Sequence, residues 1–119
     1  MSAELINKMA SDVRRDNEHW WRHPGTGKPL KRNKGEMLML MVSEISEAME
    51  GERKSLMDDH LPHRKAAEVE LADLLIRLLD YAGGWGLDLG GAYMEKREYN
   101  RTRADHKPKA RLGKGGKKW

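Results

Sequence analysis

Apolar residues recur along most of this chain at intervals of three and four, the spacing that lines up side chains on one face of an α-helix. Leu5, Ile6, Met9 and Val13 make such a face over residues 3–18. Met37, Leu38, Met41, Val42, Ile45, Ala48 and Met49 make a longer stripe over 36–50, with Gly51 placed to cap it. The strongest pattern runs from Lys65 to Ala82, rich in Leu and Ala, and stops at Gly83 and Gly84. A fourth helix is expected from Asp88 or Leu89 to Arg101, its start blurred by Gly90 and Gly91. HWWRHPGTGKPLKRNKG (19–35) holds two prolines and three glycines, so it reads as a loop. ERKSLMDDHLPH (52–63) reads as a polar connector. Nothing resembles a strand. The pattern predicts an all-α, four-helix bundle-like domain over residues 1–106, followed by a basic, flexible tail over 107–119.

The third helix carries apolar residues on two sides. Leu71, Leu74, Leu75, Leu78 and Ala82 cover one face, while Val69 and Ile76 point nearly the opposite way, with Asp73 and Asp80 among them. At ~100° per residue these are separate stripes, and each needs a partner. Four helices offer little cover for the second, so a homo-oligomer is expected.

Composition narrows the classes. A chain of 119 residues suits one domain. The absence of cysteine excludes disulfide frameworks, thiolate catalysis and thiolate metal sites. Charge interrupts every apolar run before it could span a bilayer, so no membrane segment is expected. MSAELINKMASDVRR lacks the apolar core of a secretory signal, which makes a cytoplasmic protein the expectation. The formal net charge is +4, yet residues 101–119 hold eight Lys or Arg and one Asp, leaving the remainder slightly acidic. Such a tail supplies an alternative reading, a helical protein that binds nucleic acid through its C-terminus. Against nucleic acid as a partner, these charges do not follow a helix face as a groove-reading element would.

Two pairs of acids stand inside the two most apolar segments. Glu44 and Glu47 are three residues apart, as are Glu70 and Asp73. Residues at that spacing root their side chains ~5–6 Å apart on one helix face. If the second and third helices pack antiparallel, the four carboxylates meet, and a divalent cation relieves their repulsion. An all-oxygen set favours Mg²⁺, or Mn²⁺, over Zn²⁺. Magnesium commonly serves substrate phosphates, whose other oxygens need positive charge; Arg53, Lys54, Lys96 and Arg103 are the candidates. GTGKP lacks the frame of a phosphate-binding glycine loop. The plain alternative is that glutamates at such spacing are solvated helix surface.

ExxE, a spacer of 22 residues and ExxD, here EISE (44–47) and ELAD (70–73), resemble the hallmark of the MazG-like all-alpha nucleoside triphosphate pyrophosphohydrolases. KRNKGEMLMLMVSEISEAMEGERK, DDHLPHR, EVELADLLIRLLDYAG and EKREYNRTRADH extend the likeness over roughly residues 31–106, closest to small single-domain members found in phages and mobile elements. The resemblance implies hydrolysis of a nucleoside or deoxynucleoside triphosphate between the α and β phosphates, in a bacterium or a phage-infected cell. It implies Glu44, Glu47, Glu70 and Asp73 as Mg²⁺ ligands and catalytic residues, with Glu47 the first choice to activate water. It implies phosphate contacts from Lys54, Lys96 and Arg103, and closure near the sugar or base by Tyr99 and Asn100. It implies a homo-oligomer, a dimer or a dimer of dimers, with helices of two subunits completing each site. Trp20 or Trp21 could stack on a base, and Asn33 could read a base or sugar edge; a tryptophan could equally plug the core. Asp80, two turns past Asp73, could stand behind the ligands.

Overall fold

A computed structural model describes residues 2–119, and among them no strand forms. Five α-helices do: α1 (Ala3–Asp16), α2 (Lys34–Arg53), α3 (Ala66–Gly84), α4 (Leu89–Thr102) and the short α5 (Pro108–Leu112). The all-helical expectation holds. None of the helices is long and apolar enough to cross a membrane.

Lys8–Leu87 form one compact unit, in which α2 and α3 are the main packed pair. Its buried apolar residues are few and mostly small: Ala10 from α1, Trp21 from the segment after it, Met37 and Ala48 from α2, and Ala67, Leu79 and Ala82 from α3. Small residues let helices approach. A Cβ on Gly83 would strike the Ala10 carbonyl of α1, and a Cβ on Gly84 would strike the ring of Trp21. α3 continues through the glycine pair instead of stopping at Ala82, and the two glycines serve as points of close contact.

Gly51 does not cap α2. It lies inside the helix, buried, with Ala66 at the start of α3 so close that a Cβ would stand 3.0 Å from the alanine methyl. The start of α2 also moves, because Asn33 caps it: its Oδ1 accepts from the Glu36 N–H at 2.9 Å. This satisfies one of the free N–H groups of a helix start.

The segment expected as plain loop is ordered. α1 ends at Asp16, and Glu18–Trp21 follow as a 3₁₀ turn that drops Trp21 into the core. A hairpin-like turn comes next, with the Leu30 N–H donating to the Trp21 carbonyl and the His23 N–H to the Lys28 carbonyl, both at 2.8 Å. His23 Nδ1 accepts from Gly25 and Thr26 inside it. Between α2 and α3, Asp58 accepts from the His60 and Leu61 N–H groups.

The face that α3 buries differs from the sequence expectation. Ala67, Leu79 and Ala82 are buried, but Leu71 and Leu75 stay about half exposed. On α2, Leu38, Val42, Ile45 and Met49 are likewise about half exposed, at the four- and three-residue spacing of one stripe.

The residues up to Asn7 together with Asp88–Trp119 form a second unit. Asn7 ties the start of α4 from both sides, donating to Asp88 Oδ1 at 2.8 Å and accepting from the Gly90 N–H at 2.8 Å. Asp88 itself caps α4 by accepting from Gly91. Beyond α4, Arg103 and Asp105 pair through two nitrogens at 2.9 and 2.7 Å, and Lys117 reaches the same carboxylate at 3.0 Å. The basic segment thus contains a short helix and a charged tie.

Candidate functional site

α2 and α3 each present their acids to the other. Carboxylate oxygens of Glu44, Glu47 and Glu70 all lie within 4.8 Å of one another, an arrangement able to hold a metal ion. Three acids converge because Glu44 and Glu47 occupy adjacent turns of α2 while Glu70 projects from the first half of α3. Glu44 is buried, Glu70 half-buried and Glu47 exposed, so the cluster grades from interior to solvent. Asp73 stands one turn beyond Glu70 and outside this trio; it lines a cavity beside Glu44.

The electrostatics show the strain of gathering these groups. The Glu70 carboxyl is pushed up to about 8, first by burial and then by the neighbouring Glu44 and Glu47 carboxylates. Asp73 is raised by burial and by the Glu44 charge, and Arg77 partly offsets this. Arg77 Nε donates to Glu44 Oε1 at 3.0 Å. The other oxygen, Glu44 Oε2, is buried and has no hydrogen-bond partner. A buried carboxylate oxygen without a donor costs free energy unless a cation or water meets it. Mg²⁺ takes carboxylate oxygens, and an orphaned carboxylate oxygen on a residue grouped with two further acids fits that donor chemistry. Glu44, Glu47 and Glu70 are the residues that would hold it, with Asp73 the nearest addition.

The adjoining cavity has a volume of about 550 Å³. Glu44, Asp73 and Arg77 line one part; Asn17, Trp20, Leu30, Arg32 and Asp80 line it further on. Asp80 is only 6 % exposed. Trp21 Nε1 donates to both of its oxygens, at 3.0 and 3.2 Å, and burial raises its carboxyl despite that bond. Trp21 is therefore core, with the Arg14 guanidinium 4.5 Å and that of Arg32 5.5 Å from its ring centre. Trp20 is 63 % exposed and lines the cavity.

The remaining candidates fall elsewhere. Asn33 is engaged as the α2 cap and does not line this cavity. Lys54 Nζ lies 2.6 Å and Arg53 Nη1 3.7 Å from the carboxylate of Glu50, at the end of their own helix. Lys96, Tyr99, Asn100 and Arg103 belong to the second unit. There Lys96 and Arg103 lie 4.7 and 5.6 Å from the centre of the Tyr99 ring, Arg103 is paired with Asp105, and Lys96 and Asn100 line a shallow groove along α4.

Arg77 and Arg32 were not singled out by sequence reasoning. Arg77 carried a signal: it is the one base in the apolar run LLIRLLD, four residues past Asp73. Arg32 carried none, since KRNK looks like any basic loop.

Compared with models of known families, with curated proteins and with solved structures, the chain finds no match in any of the three.

Proposed function

We propose that this chain is a Mg²⁺-dependent nucleoside triphosphate pyrophosphohydrolase of the MazG-like all-helical kind, acting as a homo-oligomer in the cytoplasm. The observation that carries the reading is the buried, partnerless Glu44 Oε2 within a cluster of three convergent carboxylates. A bound divalent ion supplies Lewis-acid polarisation of a phosphoryl oxygen and charge compensation for the leaving pyrophosphate. The chain does the rest. Glu44, Glu47, Glu70 and Asp73 provide the anionic cradle. Glu47, the most exposed of the trio, is placed to accept a proton from the attacking water. Water adds at the α phosphorus, the bond to the bridging oxygen breaks, and the monophosphate and pyrophosphate leave. Arg77, beside Glu44, is the cation positioned to meet phosphate oxygens from within the same cavity wall.

Oligomerisation is supported by the half-exposed stripes on α2 and α3 and by a core with no large side chain fully enclosed among the described residues. Contiguous apolar surface of that kind commonly marks an interface.

The experiment identifies products from a panel of ribo- and deoxyribonucleoside triphosphates. Monophosphate and pyrophosphate should appear with Mg²⁺ and vanish with chelator. Asp73→Asn should lower turnover by at least about a hundredfold while leaving the fold intact, because removing one of several repelling acids does not cost stability. Release of orthophosphate instead, or no turnover of any triphosphate with any divalent ion, refutes the reading.

A further inference from the structure

Asp73 and Asp80 are seven residues apart on α3 and line the same cavity. Two helical turns return to nearly the same azimuth and rise ~10.5 Å. The cavity therefore runs from the acid cluster to a second end walled by Asp80, Asn17, Trp20, Leu30 and Arg32. That span suits a nucleotide whose phosphates rest at the first end and whose base reaches the second.

The second end has a defined hydrogen-bonding character. Asp80 is 6 % exposed and, among the described residues, makes no ion pair. The Trp21 N–H donates to both oxygens, and the Arg14 and Arg32 charges and the Asn17 side chain also favour its ionised form. A carboxylate accepts at about four sites, so acceptor capacity remains on each oxygen. Arg32 is donor-only; it donates Nη1 to the Trp20 carbonyl at 3.1 Å and keeps other N–H groups free for the cavity. Trp20, largely exposed, lines the same cavity. A base bound here meets an obligate acceptor and an obligate donor next to a stacking surface.

We propose that this cavity selects nucleotides whose base carries both an exocyclic amine and a ring carbonyl, cytosine or guanine, with Asp80 accepting from the amine and Arg32 donating to the carbonyl. The proposal rests on the nucleotide reading above and names its substrate class. Uracil and thymine bring two carbonyls around one ring N–H and no amine, so a pose that offers that N–H to Asp80 also turns a carbonyl oxygen toward the carboxylate. Adenine brings an amine flanked by ring nitrogens and no carbonyl, so Arg32 meets a single in-plane lone pair in place of the two that a carbonyl oxygen offers. A site built around a buried polar group rejects analogues that leave it unpaired.

The test measures binding of nucleoside 5′-monophosphates to the full-length protein by titration calorimetry in Mg²⁺, which needs no turnover. Two pairs isolate the amine: GMP against IMP, which lacks it, and CMP against UMP, which has a carbonyl and a ring N–H where cytosine has the amine and a bare ring nitrogen. At least one amine-bearing member should bind about tenfold or more tighter than its partner, the equivalent of one charge-assisted hydrogen bond. The two pairs tell cytosine from guanine, and AMP should bind more weakly than the selected base. Asp80→Asn, with folding verified by circular dichroism, should reduce the ratio to within about twofold; if that variant does not fold, the wild-type ratios and Arg32→Gln, which should bring the selected base down to the AMP level, decide. Ratios near one in both wild-type pairs overturn the proposal, and the pyrophosphohydrolase reading survives if triphosphates are still cleaved. No nucleotide binding together with no pyrophosphate release overturns both.

Discussion

Glu70 offers the sharpest perturbation of the acid cluster. Its carboxyl has an ordinary value of 4.5 and is pushed up to about 8 in the fold, by burial first and by Glu44 and Glu47 after it. Between those limits the folded protein holds a proton that the unfolded chain has lost. Stability of the metal-free protein therefore falls as pH rises through that window. One proton gives at most about 1.4 kcal/mol per pH unit. Glu70 is only half-buried and Glu47 is exposed, so solvent screening reduces the slope to about 0.5–1 kcal/mol per unit. For a domain of this size that is about 2–5 °C in Tm per pH unit. Asp73 is also raised, which adds in the same direction. The carboxyls that the fold lowers, such as Glu18, Glu68 and Asp88, are ionised in both states above pH 5.5 and contribute no slope there. The assay is thermal unfolding of chelator-treated protein from pH 5.5 to 8.5, alone and with Mg²⁺, for wild type and Glu70→Gln. Wild type should lose Tm as pH rises, the variant should lose much less, and Mg²⁺ should raise wild-type Tm more at pH 8 than at pH 6, because the ion replaces a proton. A flat metal-free profile, an unchanged slope in Glu70→Gln, or equal stabilisation by Mg²⁺ at both pH values refutes the idea that three mutually repelling acids await a cation.

Two further outcomes follow from packing. Trp21→Phe removes the N–H that donates to both oxygens of Asp80, so it should destabilise the protein by about 1–3 kcal/mol in denaturant titrations, and Asp80→Leu in that background should recover part of the loss. Ile45→Arg or Leu75→Arg places charge on a half-exposed apolar stripe and should shift the mass measured by size-exclusion with light scattering to that of a single chain; unchanged mass for both would remove those stripes from the interface.

The helices were legible because period and composition coincide. α3 announces itself through Leu, Ala and the absence of breakers, and Glu44, Glu47, Glu70 and Asp73 stand out because acids interrupt stripes that should be apolar. Which face α3 buries was less legible. Leu71 and Leu75 read as core from spacing alone, yet α2 and α1 approach over Ala67, Ala82 and Gly83, where small residues allow it. Helix ends failed for a related reason: Gly51 and Gly84 look like terminators, but each is a point of contact, with Ala66 and Trp21 respectively.

The cavity was illegible because its two ends come from different kinds of information. One end is encoded locally, in i, i+3 pairs that any helical wheel reveals. The other depends on a loop folding back so that Trp21 fills the core, Trp20 and Arg32 reach the cavity wall, and Asp80 loses solvent without gaining an ion pair. Spacing puts Asp80 on the Asp73 face of α3, but only the loop makes it a buried acceptor rather than one more surface acid. If the loop sets what Asp80 can recognise, changes within residues 19–35 should alter which nucleotide binds while leaving any affinity of the Glu44, Glu47 and Glu70 cluster for Mg²⁺ intact, since those carboxylates stand on α2 and α3 alone.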